Sequence, residues 1–247
     1  FYKAVLVPRL WRLTLTSHHQ IFLNKSLAQI IPEILRQGGL APDVDFELRL
    51  QRSYPAREYV CQHMESHYDF LARWMERYGM YYFFEQDKGG EKLVVTDAAS
   101  AHKPLPGGGA LDYGQPSGLG LEKKEQLVHF MGMAREALPR KVMLQDYDYR
   151  QPSLAMQAEH EVDEQGFGEA HLYGDHFQSA AEGEIMAEAA AQSWLSRETV
   201  FHGKSKAASL RSGYTAELSG HHRDDFNRRY LILDARHEGD QEGWLST

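Results

Sequence analysis

The segment Tyr54–Glu85 reads YPAREYVCQHMESHYDFLARWMERYGMYYFFE and carries the clearest structural signals of the chain. Within it, Ser66 is a favourable helix N-cap, and Asp69 supplies an acidic side chain in the first helical turn. Gly79 ends the helix, and the largely aromatic run at 80–84 predicts a strand directly after it. The apolar residues between the cap and the stop recur at helical spacing and form one wide stripe: Phe70, Leu71, Trp74, Met75 and Tyr78.

A second helix is predicted upstream. Ser26 is its N-cap, Gln29 completes a capping box, and apolar residues follow at helical spacing until Gly38-Gly39. Pro32 conflicts with a regular helix because an interior proline removes one backbone hydrogen bond, at a cost of about 3 kcal/mol. We therefore expect either a kink at Pro32 or a helix that starts later than Ser26.

Segments with an alternating apolar pattern flank the two helices. Trp11, Leu13 and Leu15 alternate with polar side chains, and this pattern predicts a strand over residues 10–16. Residues 46–50 show the same alternation and predict another strand. Helices and strands together therefore indicate a compact α+β unit in this part of the chain.

The rest of the chain is predicted to be rich in strands, with one further helix. Glycine-rich loops at 104–109 and 114–120 mark the change in composition. The helix begins after a Ser179 cap, with Glu182 completing its capping box, and its alanine-rich face can lie close against a neighbour. The predicted strands are at 126–131, 141–149, 200–209, 214–218 and 230–235.

The composition excludes several classes of protein. The 247 residues carry 27 basic and 35 acidic side chains, a net charge of −8, so we expect no nucleic-acid partner. No apolar run is long enough to span a bilayer, which predicts no stable membrane insertion. Cys61 is the single cysteine, so no intrachain disulfide can form, which fits folding in a reducing cytoplasm. No signal peptide is visible, and we expect that Phe1 is not the natural start.

A search for catalytic chemistry finds little. His63, Glu65 and His67 would share one face of a continuous strand, but the Ser66 cap should turn the backbone there, so scattered histidines are favoured over a metal site. Asp146 and Asp148 alternate with tyrosines and could act as a glycosidase pair, although a wet strand face is the commoner meaning of that pattern. No H-E-x-x-H, G-x-S-x-G or phosphate-loop motif is present. We therefore predict no catalytic residues, no metal and no cofactor.

The segment Tyr54–Glu85 resembles the most recognisable part of the VgrG family, the spike proteins of type VI secretion systems. Departures from the family pattern are modest: Cys61 stands where valine is usual, His67 where aspartate is, and Trp74 where leucine is. Other segments, including 146–152 and 218–221, also match, so the resemblance spans nearly the whole chain. The family-motif residues, to which we assign structural roles, are Tyr54, Pro55, Arg57, Glu58, Tyr59, Glu65, Ser66, Asp69, Phe70, Gly79, Tyr82 and Phe83.

The resemblance implies an α+β, β-rich fold akin to the baseplate hub of contractile-tailed phages, in which each protomer carries two tube β-barrels. Residues 1–22 would close the first barrel, whose start is missing here, and residues 23–98 would form an inserted α+β domain. Residues 99–150 and 198–247 would form the second barrel. A small helical insertion would occupy residues 151–197.

The resemblance also implies a structural role and not an enzymatic one. Three copies would form a homotrimer that caps the hexameric Hcp tube, because a duplicated barrel lets a trimer match sixfold symmetry. The C-terminal needle and any effector domains, which the family carries after the hub, are absent from this sequence. The protein would be made in the cytoplasm, assembled in the machine and secreted without a cleaved signal peptide. The alternatives are a prophage tail baseplate hub or a cell-wall hydrolase.

Overall fold

The structure of the chain is a computed structural model that describes residues 2–87, 89–114 and 126–239. Most of the predicted glycine-rich loop at 114–120 lies outside the described residues. The helices are α1 (Leu27–Gln37), α2 (His67–Arg77) and α3 (Ala180–Leu195). The strands are β1 (Ser17–Lys25), β2 (Phe46–Arg49), β3 (Arg57–Ser66), β4 (Tyr81–Asp87), β5 (Gly90–Thr96), β6 (Ala110–Tyr113), β7 (Leu127–Arg135), β8 (Lys141–Asp146), β9 (Met156–Glu161), β10 (Glu169–Tyr173), β11 (Thr199–Ser205), β12 (Thr215–Ser219) and β13 (Arg229–Leu231).

The chain divides into two compact units. The first contains Phe1–Ala98 and Arg135–Val200, and the second contains Ala99–Ala134 and Phe201–Thr247. In the first unit, β1 pairs antiparallel with β3, and two three-stranded sheets have the orders β2-β5-β4 and β10-β8-β9. In the second unit, a five-stranded sheet has the order β11-β7-β6-β12-β13. Each unit has its own cluster of buried apolar side chains.

Helix α2 confirms the helix predicted within Tyr54–Glu85. The Ser66 hydroxyl accepts a hydrogen bond from the backbone N–H of Asp69 at 3.0 Å, as an N-cap should. Phe70 is fully buried, and the backbone at Gly79 adopts a φ of 69°, which glycine reaches at little cost. Strand β4 follows directly, and it pairs antiparallel with β5.

The strand predicted over residues 10–16 is wrong. Arg9–Thr14 forms a 3₁₀ helix, in which three residues make one turn, so Leu10 and Leu13 lie on the same side and are both buried. Trp11 and Leu15 are 48% and 58% exposed. Alternation of apolar and polar residues over so short a segment does not distinguish a strand from a 3₁₀ helix. In this helix only two of the apolar residues, Leu10 and Leu13, are buried.

Of the two expectations for α1, a kink at Pro32 or a late start, the late start is wrong. The helix begins directly after Ser26, and Pro32 lies inside it. A complete capping box holds the first turn: the backbone N–H of Ser26 donates to the Gln29 side chain at 2.9 Å. The apolar face of the helix is then fully buried, which compensates for the hydrogen bond that proline cannot make.

Helix α3 packs closely against the segment that ends α2. Ala187, Ala189 and Ala191 are buried, as the small face of this helix predicts. A Cβ atom added to Gly79 would lie 2.9 Å from the Cβ atom of Ala189, so the two backbones approach more closely than larger side chains would allow. None of the helices in the described residues is both long and apolar enough to cross a membrane.

Candidate functional site

A buried ion pair joins two elements of the first unit. Arg57, the first residue of β3, and Glu182, in the first turn of α3, have side chains that are 6% and 2% exposed. One guanidinium nitrogen of Arg57 donates to the Glu182 carboxylate and, at 3.0 Å, to the Tyr78 hydroxyl. The other terminal nitrogen donates to the His176 carbonyl at 2.6 Å. The Tyr78 hydroxyl in turn donates to Glu182, and burial, followed by this bond, raises the pKa of Tyr78.

This ion pair changes the expected role of Glu182. The Ser179 cap of α3 is confirmed, because its hydroxyl accepts from the backbone N–H of Glu182 at 3.2 Å. The reciprocal half of the predicted capping box is not formed with Ser179. Instead, the Glu182 carboxylate accepts from the backbone N–H of Gln178 at 2.5 Å while it neutralises Arg57. One carboxylate therefore orders the start of α3 and attaches it to β3.

The turn before β3 is held by a second set of bonds. The Tyr54 hydroxyl donates to Asp97 at 2.8 Å, and the backbone N–H groups of Gln51 and Arg52 donate to the same carboxylate at 2.8 and 2.9 Å. Burial alone would raise the pKa of Asp97, but these donors together lower it below its ordinary value. The Arg52 guanidinium also reaches Glu188 of α3 at 2.6 Å.

Other family-motif residues also bond within the first unit. The Glu65 carboxylate accepts from two nitrogens of Arg73 at 2.6 and 2.8 Å. The Tyr82 hydroxyl lies 3.0 Å from that of Tyr68. Glu58 forms an exposed pair with Arg150 at 3.1 Å. These polar side chains therefore organise the fold and do not converge on a cleft.

In the second unit, hydrogen bonds and a ring contact hold the turn between β12 and β13. The backbone N–H of His221 donates to the Asn227 side chain at 2.8 Å, and the Asn227 amide donates back to the His221 carbonyl at 2.9 Å. The His221 ring stacks on Phe226 with centroids 4.4 Å apart. The Tyr230 hydroxyl donates to the Phe226 carbonyl at 2.7 Å. These bonds close the turn between β12 and β13.

The residues considered for a metal do not converge. His63 is exposed, Glu65 is engaged by Arg73, and His67 is buried with its ring stacked 3.8 Å from that of His18. Residues 2–87, 89–114 and 126–239 contain no group of three histidine, cysteine or acidic side chains arranged to hold a metal ion. The His67 ring stacks on His18, and the His63 ring contacts His19 edge-on with centroids 5.0 Å apart.

The pair of aspartates considered for glycoside hydrolysis does not share a strand face. Strand β8 ends at Asp146, so the predicted strand over 141–149 is too long. The Asp146 carboxylate accepts from the backbone N–H groups of Tyr147 and His176. Asp148 accepts from the backbone N–H of Arg150 at 2.9 Å. Both carboxylates stabilise backbone turns.

One exposed surface was missed in the sequence. On the outer face of the β1–β3 pair, Ile21, Leu23 and Tyr59 are 57%, 60% and 49% exposed. Leu23 pairs with Tyr59 in the strand register, and the opposite face carries buried Phe22 and Val60. Alternating strand patterns with apolar residues on both faces carry the signal for such a surface, but they do not show which face is covered.

Protonation of His67 is expected to destabilise the first unit in mild acid. Burial, followed by the charge of His18, lowers the pKa of His67, and its ring also faces the Gln62 side chain at 3.2 Å. Between that lowered pKa and the ordinary value of about 6.5, the unfolded chain binds a proton that the folded chain does not. Stability should therefore fall as the pH drops below about 6.5.

Urea midpoints measured at pH 7.5 and 5.5 check this expectation. The variant His67→Asn, which keeps a polar partner for Gln62, should lose part of the pH dependence, whereas a variant of the exposed His160 should keep all of it. An unchanged pH dependence in His67→Asn would show that other groups cause the acid sensitivity.

The comparisons with known proteins identify one family. The sequence profile of the phage tail baseplate hub (GPD) family matches residues 1–243. Among curated proteins, the type VI secretion system spike protein VgrG1b of Pseudomonas aeruginosa is 34% identical over 247 residues, which cover 98% of this chain and 32% of VgrG1b. The chain spans about a third of the length of the curated relatives it matches.

Solved structures show the same fold. The E. coli c3393 protein, a type VI secretion component with structural similarity to the T4 bacteriophage tail proteins gp27 and gp5, matches with a TM-score of 0.61 at 19% identity, over 91% of this chain and 47% of that one. A 43 kDa tail protein of prophage MuSo2 from Shewanella oneidensis matches with a TM-score of 0.56 at 14% identity, over 86% and 61%. The predicted strand-rich, phage-hub-like fold class is confirmed. The chain belongs to the phage tail baseplate hub family, and its resemblance to the hub portion of VgrG proteins is confirmed.

Proposed function

We propose that this chain is the hub portion of a type VI secretion spike, a homotrimer that caps the Hcp tube and carries a C-terminal needle. The observation that carries the proposal is the similarity to VgrG spike proteins over 98% of the chain. The geometry of the first unit supports it, because Arg57, Glu65, Glu182 and Asp97 all bond to groups within the fold. The role is structural and needs no enzyme activity and no cofactor.

In this proposal, residues 1–22 close one tube barrel and residues 99–150 with 198–247 form another. Residues 23–98 form the α+β domain, and residues 151–197 form a helical insertion. The protein is made in the cytoplasm and assembled in the machine, and it leaves the cell without a cleaved signal peptide. Any effector is carried by segments or partners beyond this chain.

The mass in solution tests the proposal. A form of the protein extended at its C-terminus by the needle is expected to sediment with three times the mass of one chain, because three identical interfaces close a ring. Addition of purified Hcp should then give a larger complex. A monomer that does not bind Hcp would contradict both the trimer and the capping role.

A prophage tail baseplate hub is the second candidate, and the fold match to a prophage tail protein favours it. The two functions use the same fold in different machines. Genes next to the coding sequence separate them: sheath and ATPase genes of a secretion system support the first, and phage morphogenesis genes support the second. A cell-wall hydrolase is less well supported, because the carboxylates of Asp146 and Asp148 are engaged by backbone N–H groups.

A further inference from the structure

Three arginines surround the indole ring of Trp74. The guanidinium carbon atoms of Arg57, Arg73 and Arg77 lie 5.1, 5.3 and 4.9 Å from the ring centre. A ring has only two faces, so at least two of these cations share one. Attraction to the aromatic ring offsets part of their mutual repulsion but does not neutralise any charge.

Two of the three charges are balanced within the chain. Arg57 is paired with Glu182, and Arg73 is paired with Glu65. Arg77 has no hydrogen bond or ion pair from its side chain to any described residue, although it is half-buried. Asp175 attracts Arg77 without reaching it, while burial, Arg57 and Arg73 all lower the pKa of Arg77.

Hydrogen-bond acceptors are also scarce at this position. The Nε atom of Arg57 and the indole nitrogen Nε1 of Trp74 are buried and have no partner among the described residues. Both side chains are about nineteen-twentieths buried. The Glu182 carboxylate accepts from Arg57, Tyr78 and Gln178, and neither of the two unpaired nitrogens bonds to it. Buried donors without acceptors are uncommon and point to a missing group.

We propose that Arg77, stacked on Trp74, is the anchor of a site that binds an oxyanion of the carboxylate or sulfate class. A planar guanidinium binds two oxygen atoms of such a group at once, and the half-buried position strengthens the interaction. The oxyanion is either an acidic side chain from a second copy of this chain, which has a net charge of −8, or a free anion. Both sources would supply the negative charge that Arg77 lacks.

A sulfate titration followed by nuclear magnetic resonance tests the site. The chain contains four tryptophans, so the indole N–H signals are few, and Trp74→Phe assigns the relevant one. Sodium sulfate should move the Trp74 signal saturably, whereas sodium chloride of equal ionic strength should not. In Arg77→Met, which keeps the stem that packs on the ring, the affinity for sulfate should be about tenfold weaker or more.

The matched control is Arg36→Met, because Arg36 also lies in the last turn of its helix, α1, and is exposed. It should bind sulfate as the unmodified chain does. A signal that does not saturate, or an equal response in Arg77→Met, would overturn the proposal. Sedimentation with and without sulfate separates the two sources: a loss of mass assigns the site to an acidic side chain of another copy, and a constant mass assigns it to a free anion.

Discussion

Glu182→Gln is expected to lower the free energy of unfolding of the first unit by about 3–5 kcal/mol. Glutamine keeps the shape of the side chain but removes its charge, so the guanidinium of Arg57, 6% exposed, is left buried without a counter-charge. The amide also replaces one of the two accepting oxygens by an NH2 donor, which then faces either Arg57 and Tyr78 or the backbone N–H of Gln178. Urea unfolding followed by circular dichroism measures the change.

Two further variants show whether the charge is the cause. Arg57→Met combined with Glu182→Met removes both charges, so it should be more stable than Glu182→Gln alone. Glu58 lies next to Arg57 on β3 and forms a pair with Arg150 in which both side chains are at least 60% exposed. Glu58→Gln breaks this exposed pair and should unfold much like the unmodified chain. Equal losses in Glu58→Gln and Glu182→Gln would show that burial of the ion pair does not decide the effect.

Local parts of this fold could be predicted from the sequence. The Ser66 and Ser179 caps both form the hydrogen bonds that their positions indicate. Both signals act over one helical turn, where backbone geometry fixes which atoms can meet. The 3₁₀ helix at Arg9–Thr14 was missed because six residues give too few repeats to separate a period of three from a period of two.

The candidate site could be predicted only in part. Arg57 belongs to the motif that indicated the family, but Glu182 lies 125 residues further along the chain and its position suggested a local capping role. A single sequence does not indicate which buried charges meet across such a distance. The sequence shows no recognisable catalytic motif. The three arginines around Trp74 could not be predicted from it, because their proximity depends on how β3 packs against α2.

The Trp74 environment changes what an acidic substitution there should do. From the sequence, a glutamate at any position of the apolar stripe of α2 would be an unpaired buried charge and would prevent folding. In the structure, a glutamate at position 74 would lie among three guanidinium groups, one of which has no counter-charge. We therefore expect Trp74→Glu to fold, with a free energy of unfolding lower by about 3–5 kcal/mol because the packing of the indole is lost.

Ile34→Glu should instead leave the first unit unfolded. Ile34, in α1, is fully buried in the apolar cluster that also contains Leu35 and Phe70. Loss of the isoleucine side chain costs about 2–5 kcal/mol, and a buried carboxylate without a partner costs several more. A typical domain is stable by about 5–15 kcal/mol, and the two losses together approach that range.

Circular dichroism and one-dimensional proton spectra of the two variants measure the difference. Trp74→Glu is expected to keep native dispersion and a cooperative urea transition, and Ile34→Glu is expected to show neither. Ile34→Ala serves as the control for lost packing alone and should remain folded. If Trp74→Glu also fails to fold, the three arginines do not compensate a carboxylate at that position.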